Sequence, residues 1–443
     1  MNPLGDSREA KAGVRLGALR RPVGWGSAAA LVVASMIGTG VFTTSGFLLT
    51  DLGSPWAVLA VWVAGGILAT LGALSYGALA RRIPESGGEY LFVSRTLHPA
   101  AGYISGWISL LVGFSAPLAA AAFGFGEYAK AWLGGCPPQW SGTLLIVLFA
   151  CVHAMPVRRG VRVQDWAVLV KVVLILAFVC IGFARLDVTA PRSPFSSPLS
   201  TLAVSLVWVS FSYSGWNAAI YIGGEVTDPE RNLPRSLLVG TALVTLLYLA
   251  LNAVFVFSAP VSELAGKLEI GRIAANALGG RPLAEAVTAL IALALVTSVS
   301  AMVMAGPRVY ARMATDGCLP HWLAANHGPP RAAIALQAGL ALAMLWTASY
   351  QSLLTYIGFT LGLSTAGTVV GLIRLRRREG PSLAVAGWPW VPALFLIGVL
   401  GMTTFSVARR PVESLFGFGT IALGWLVWRW KHGREPVGGT TTS

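Results

Sequence analysis

Apolar runs of about twenty residues, separated by short polar stretches, recur along the whole chain. Their approximate limits are 25–49, 55–80, 100–130, 141–156, 163–184, 199–222, 234–258, 283–307, 331–349, 352–373, 390–408 and 412–430. A helix rising 1.5 Å per residue needs about twenty residues to cross a hydrocarbon layer of roughly 30 Å. The pattern therefore predicts about twelve transmembrane helices. The fourth run is short and the third long, so their ends are the least defined. Between runs seven and eight, residues 259–282 hold an apolar stretch, Val261 to Leu278, expected to form a surface helix. No soluble domain is inserted anywhere. Residues 1–22 and 432–443 read as polar tails. No secretory cleavage site precedes the first run, which is expected to stay as a helix.

Composition agrees with lipid as the solvent. Of 443 residues, 55% are hydrophobic and 11% charged, whereas soluble chains carry about 25% charged residues. The net charge of +14 raises the question of nucleic acid, and its distribution answers it. Lys and Arg gather in the N-terminal tail (Arg8, Lys11, Arg15, Arg20, Arg21), in alternate loops (Arg81 and Arg82; Arg158 and Arg159; Arg374, Arg376, Arg377 and Arg378) and near the C-terminus. The intervening loops hold few. Cytoplasmic loops are the ones enriched in Lys and Arg, so a multi-pass protein of the cell membrane with both termini cytoplasmic is expected, with no nucleic acid partner. Cys136, Cys151, Cys180 and Cys318 form no CxxC pair, and neither a metal site nor a disulfide framework is readable. No cofactor is expected. An enzyme would need acids, bases or metal ligands converging at one depth, and a channel rings of charge or a carbonyl filter. The sequence offers neither.

Two runs are interrupted at mid-depth. The first carries Ser35-Met36-Ile37-Gly38-Thr39-Gly40-Val41-Phe42, and the sixth Phe211-Ser212-Tyr213-Ser214-Gly215-Trp216-Asn217. Each Gly weakens a helix by roughly 1 kcal/mol relative to Ala, although small residues also serve close helix packing in membranes. Unwound backbone is tolerated at this depth only where protein or a cavity surrounds it. Interrupted spans at corresponding positions of two halves mark transporter binding sites. Half-helix ends leave N–H groups for a carboxylate and C=O groups for an ammonium, which is what a zwitterion needs. One ionisable side chain, Lys171, lies well inside a span. Such residues are functional candidates, with snorkelling to the headgroups as the alternative.

The motifs resemble those of the amino acid–polyamine–organocation superfamily, and most closely its L-type amino acid transporter branch. Besides SMIGTGVF, they are Pro84-Glu85-Ser86-Gly87-Gly88-Glu89-Tyr90, Arg162-Val163-Gln164-Asp165 with Lys171 six residues on, FSYSGWN running into Gly224-Glu225-Val226-Thr227-Asp228-Pro229-Glu230-Arg231, Pro307-Arg308-Val309-Tyr310 and Asp316-Gly317-Cys318-Leu319-Pro320. The resemblance implies an all-α membrane protein with a LeuT-type core over 23–375. That core would be two inverted five-helix repeats, about 25–184 and 199–375, followed by two extra C-terminal helices at 388–431.

It also implies a secondary transporter of amino acids working by alternating access without sodium, as a proton symporter or an exchanger. Ile37, Gly38, Thr39 and Gly40 would receive the substrate carboxylate. Phe211 would offer its carbonyl to the amino group and its ring as a lid, and Ser214, Gly215 and Trp216 would shape the side-chain pocket. Lys171 would stand beside the break in span 1, where relatives coupled to sodium hold that ion. Ser214 replaces a glycine common in the branch, and no carboxylate lies deep in the spans lining the pocket. Both favour a small or medium neutral amino acid. The alternatives are an exchanger or exporter of cationic amino acids or polyamines, and an amino acid sensor that transports nothing. Glu85, Glu89, Glu225, Asp228 and Glu230 read as loop charges gating the inner face through Arg231 and Arg308. L-type light chains bear a cysteine, disulfide-bonded to a partner, in the loop where Cys136 lies here. One residue is its whole basis, and no protein partner is expected.

Overall fold

The computed structural model describes residues 23–155, 160–186, 198–324 and 328–432. The expected tail 1–22 and almost all of the tail 432–443 lie outside them. Along the chain run α1 (Trp25–Met36), α2 (Gly40–Leu52), α3 (Pro55–Arg82), α4 (Gly88–Thr96), α5 (Pro99–Ala129), α6 (Pro138–Ala154), α7 (Gly160–Arg185) and α8 (Leu199–Tyr213). They are followed by α9 (Pro229–Phe257), α10 (Val261–Leu264), α11 (Ile270–Thr315), α12 (Arg331–Thr347), α13 (Tyr350–Glu379), α14 (Trp390–Arg409) and α15 (Pro411–His432). This is an all-α membrane protein: among the described residues the one β feature is a single bridge between Val23 and Val226.

Eight helices are long and apolar enough to cross a bilayer, and the bent pair α1–α2 makes a ninth. The remaining three expected spans are shorter. α6 and α12 have 17 residues each and α8 has 15, so at 1.5 Å per residue they reach only about 23–26 Å. Nine crossings reach full length among the described residues, and the sixth run continues past α8 through its break into Ala218–Glu225. The expected surface helix also differs: only Val261–Leu264 forms a separate turn, and the helical path resumes at Ile270 and bends at Gly279–Gly280 before entering the eighth span.

Burial sorts the helices. In α5, 72% of the most apolar window is buried, against 33% in α14 and 22% in α15. The first is central and the last two peripheral. The outward faces carry Leu144, Leu246, Ile397, Trp390 and Leu415, a belt that would be an aggregation surface in water and is matched to lipid. α9 packs against α1 and α3, and α8 lies between α2, α3 and α13. Around Ser109–Ser115, α5 loosens into a π-helical stretch, a distortion that commonly accompanies function.

Candidate substrate site

The first break is an inverse γ-turn. Ile37 sits at φ −73°, ψ 81°, and the Gly38 N–H donates to Met36 O at 2.7 Å, the geometry of that turn. The helix restarts at Gly40, tilted by 41°. Two carbonyls lose their helical partners and side chains replace them. The Ile37 oxygen accepts from Lys171 Nζ at 2.9 Å and from Ser298 Oγ at 3.2 Å. Tyr248 donates its hydroxyl to Met36 O and lies 3.2 Å from Ser212 O, so one tyrosine touches both breaks. Lys171 is 3% exposed; its ammonium is spent on the break and does not snorkel.

The second break follows α8. Ser214 is extended and Gly215 takes φ +98°, before a 3-10 stretch at Ala218–Glu225. The two breaks face each other. A Cβ on Gly215 would lie 2.7 Å from the Ser35 carbonyl carbon and oxygen, and one on Gly40 would lie 2.7 Å from Ser212 Cα. At these two positions only a hydrogen fits between the backbones.

A cavity of about 530 Å³ opens beside the crossing. Ser35, Phe211, Ser214, Gly215, Trp216 and Asn217 line its inner end, and the exposed Glu225, Arg308 and Arg312 line its outer end. Ile37, Gly38, Thr39 and Gly40 are not on its wall. The opposite side of the break is closed: Tyr350 bonds the hydroxyls of Thr39 (2.8 Å) and Thr43 (2.7 Å) and stacks on Phe123 with ring centres 5.6 Å apart. Beyond that plug lies a second hollow of about 420 Å³, walled by Tyr350, Phe123, Glu127, Lys267 and Glu269. Access to the crossing is one-sided.

The amino acid permease family profile covers residues 23–427, nearly the whole of this arrangement. The chain belongs to the amino acid permease family. Its relatives include the large neutral amino acids transporter small subunit 2 of Mus musculus, 28% identical over 439 residues, covering 94% of this chain and 82% of the relative. Asc-type amino acid transporter 1 of Mus musculus is 26% identical over 426 residues, 92% of this chain and 80% of its own length. The b(0,+)-type amino acid transporter 1 of Mus musculus is 28% identical over 376 residues, 81% of this chain and 76% of the relative.

In this permease the expected inner-face charge pairs are rearranged. Glu85 pairs with Arg95 at 2.7 Å. Among the described residues, Glu225, Asp228, Glu230, Arg231 and Arg308 form no ion pair; Arg308 donates to the Met304 carbonyl, and Arg231 lies off the cavity wall. Glu89 is not a loop charge at all. It is 3% exposed and lines the cavity, because Gly88 places α4 under the Tyr221 ring. The sequence places no carboxylate deep in the spans lining the pocket; Glu89 reaches the cavity from α4, a short helix between spans. Sequence reading also passed over Tyr248, Tyr350 and Ser298. A tyrosine in an apolar span carries no periodic signal that distinguishes a cap for a distant carbonyl from core packing.

Proposed function

We propose that this permease carries a small or medium neutral amino acid across the cell membrane by alternating access, without sodium. One observation carries the reading: two helix breaks cross backbone to backbone beside a cavity open on one side and plugged on the other. Such half-helix ends suit a zwitterion. The substrate would meet Phe211, Ser214, Gly215 and Trp216, which the cavity already reaches. Ile37, Gly38, Thr39 and Gly40 would join once the plug at Tyr350 moves. About 530 Å³ lies within the range of small-molecule sites, about 300–1,000 Å³. The relative named as a large neutral amino acids transporter supports a neutral substrate, while the smaller size is read from Ser214 alone.

The ammonium of Lys171 occupies the position where a cation would bind the Ile37 carbonyl, which supports independence from sodium. Both termini are read as cytoplasmic from the Lys and Arg distribution, making the open face the inner one. The two five-helix units, each starting at a break, belong to the same reading. The relative called a small subunit is by that name part of an assembly. For this chain, Cys136, free and partly exposed in the turn after α5, is the group through which a partner would attach.

The test is counterflow in proteoliposomes with a panel of labelled amino acids, with and without internal amino acid, sodium and a pH gradient. Uptake of a neutral amino acid that needs an internal substrate or a proton gradient, and ignores sodium, is the expected result. No flux of any amino acid would sink the proposal.

A further inference from the structure

Glu89 is held by groups from separate parts of the chain. Its Oε1 accepts from Tyr76 on α3 at 2.8 Å and from Asn217 Nδ2 in the second break at 2.7 Å. Its Oε2 accepts from Ser364 on α13 at 3.0 Å, whose hydroxyl lies 3.3 Å from Ser105 on α5. Every one of these donors is neutral. The other titratable groups around it are the phenols of Tyr76 and Tyr221. The charged groups sharing its cavity are Glu225, Arg308 and Arg312, exposed at the outer end, while Glu85 and Arg95 neutralise each other on the flank of α4. Among the described residues, no cation within 4 Å balances Glu89.

We propose that Glu89 is a proton-binding site of the transport cycle, loaded and emptied through the cavity. A single O–H bond forms or breaks, and the proton comes from and returns to the solution reached by the cavity. The chemistry of the donors lets the site hold either protonation state. A protonated carboxyl needs an acceptor for its hydrogen. The hydroxyls of Tyr76 and Ser364 rotate to become acceptors, but an amide N–H only donates. A proton on Oε1 can therefore be accepted by Tyr76, or one on Oε2 by Ser364, while Oε1 keeps a lone pair for the Asn217 amide. Burial pushes the carboxyl above the ordinary carboxylate range although its three donors oppose this, so the proton is taken up nearer neutral pH than by a free glutamate.

The inference rests on the transport reading of the same cavity, and the experiment separates the two. Counterflow of labelled alanine and leucine is measured on the full chain in proteoliposomes between about pH 5 and 8, the range where a raised carboxyl titrates. Wild-type flux should titrate with one midpoint. Glu89→Gln should flatten the profile. Tyr76→Phe and Ser364→Ala each remove a hydroxyl that bonds both forms but binds the charged carboxylate more strongly, so each should move the midpoint upward, by up to about one pH unit. These two variants carry the test if Glu89→Gln does not fold. Flux in wild type with no pH dependence, or with the same midpoint in Tyr76→Phe and Ser364→Ala, overturns the proton site and leaves transport standing. No counterflow of either amino acid in wild type overturns both.

Discussion

Replacing Gly215 with alanine tests the crossing of the two breaks directly. At φ +98° an L-residue is held in a sparsely populated region, at a cost of order 1–3 kcal/mol. The new methyl would also sit 2.7 Å from both the carbonyl carbon and the oxygen of Ser35. Those are backbone atoms, which cannot swing aside as a side chain does, and overpacking of this kind costs about 1–3 kcal/mol. Together the loss is about 2–6 kcal/mol, enough to lower the unfolding midpoint in detergent clearly, or to push the breaks apart and end counterflow. Gly401→Ala provides the control. It lies within α14 with nothing within 4 Å of its added methyl, so it should be neutral or gain up to about 1 kcal/mol from helix propensity. If Gly215→Ala matched wild type in both midpoint and flux, as Gly401→Ala should, the close approach of Gly215 to Ser35 would be refuted.

Lys171→Met keeps the stem and removes the ammonium. Ile37 O then retains only Ser298, and losing a hydrogen bond from a charged donor, about 1.5–3 kcal/mol, should cut turnover roughly ten- to hundredfold. If Glu89 carries the proton, the residual flux should keep its wild-type pH midpoint, which the same counterflow series reads. Tyr350→Phe removes the hydroxyl shared by Thr39 and Thr43 and should raise several-fold the labelling of a cysteine placed at Ser35 by reagent added on the side of the second hollow; unchanged labelling would show that the hydroxyl does not hold the plug. Ser214→Gly should admit bulkier side chains, seen as leucine or phenylalanine competing better against labelled alanine. An identical competition order would take Ser214 out of the specificity pocket.

The sequence by itself determined the solvent, the rough helical segments and the places where two helices stop. Those are local properties: hydrophobic runs must match bilayer thickness, and glycine with hydroxyl residues at mid-depth weakens a helix wherever it occurs. The shortest of those segments are α6, α8 and α12, of 17, 15 and 17 residues. Only the tertiary structure decided who completes the broken backbone. Lys171 is 134 residues from Ile37, Thr39 is 311 from Tyr350, and Glu89 is 275 from Ser364. No periodicity connects positions so far apart; Lys171 meets Ile37 because a lost helical hydrogen bond must be replaced where water is absent, and the other two pairs because buried polar side chains need partners. Glu89 illustrates the limit best. Its neighbours in sequence, Arg81, Arg82, Glu85 and Arg95, read as a solvated charged loop, yet α4 folds under the second break and takes that one carboxylate inside.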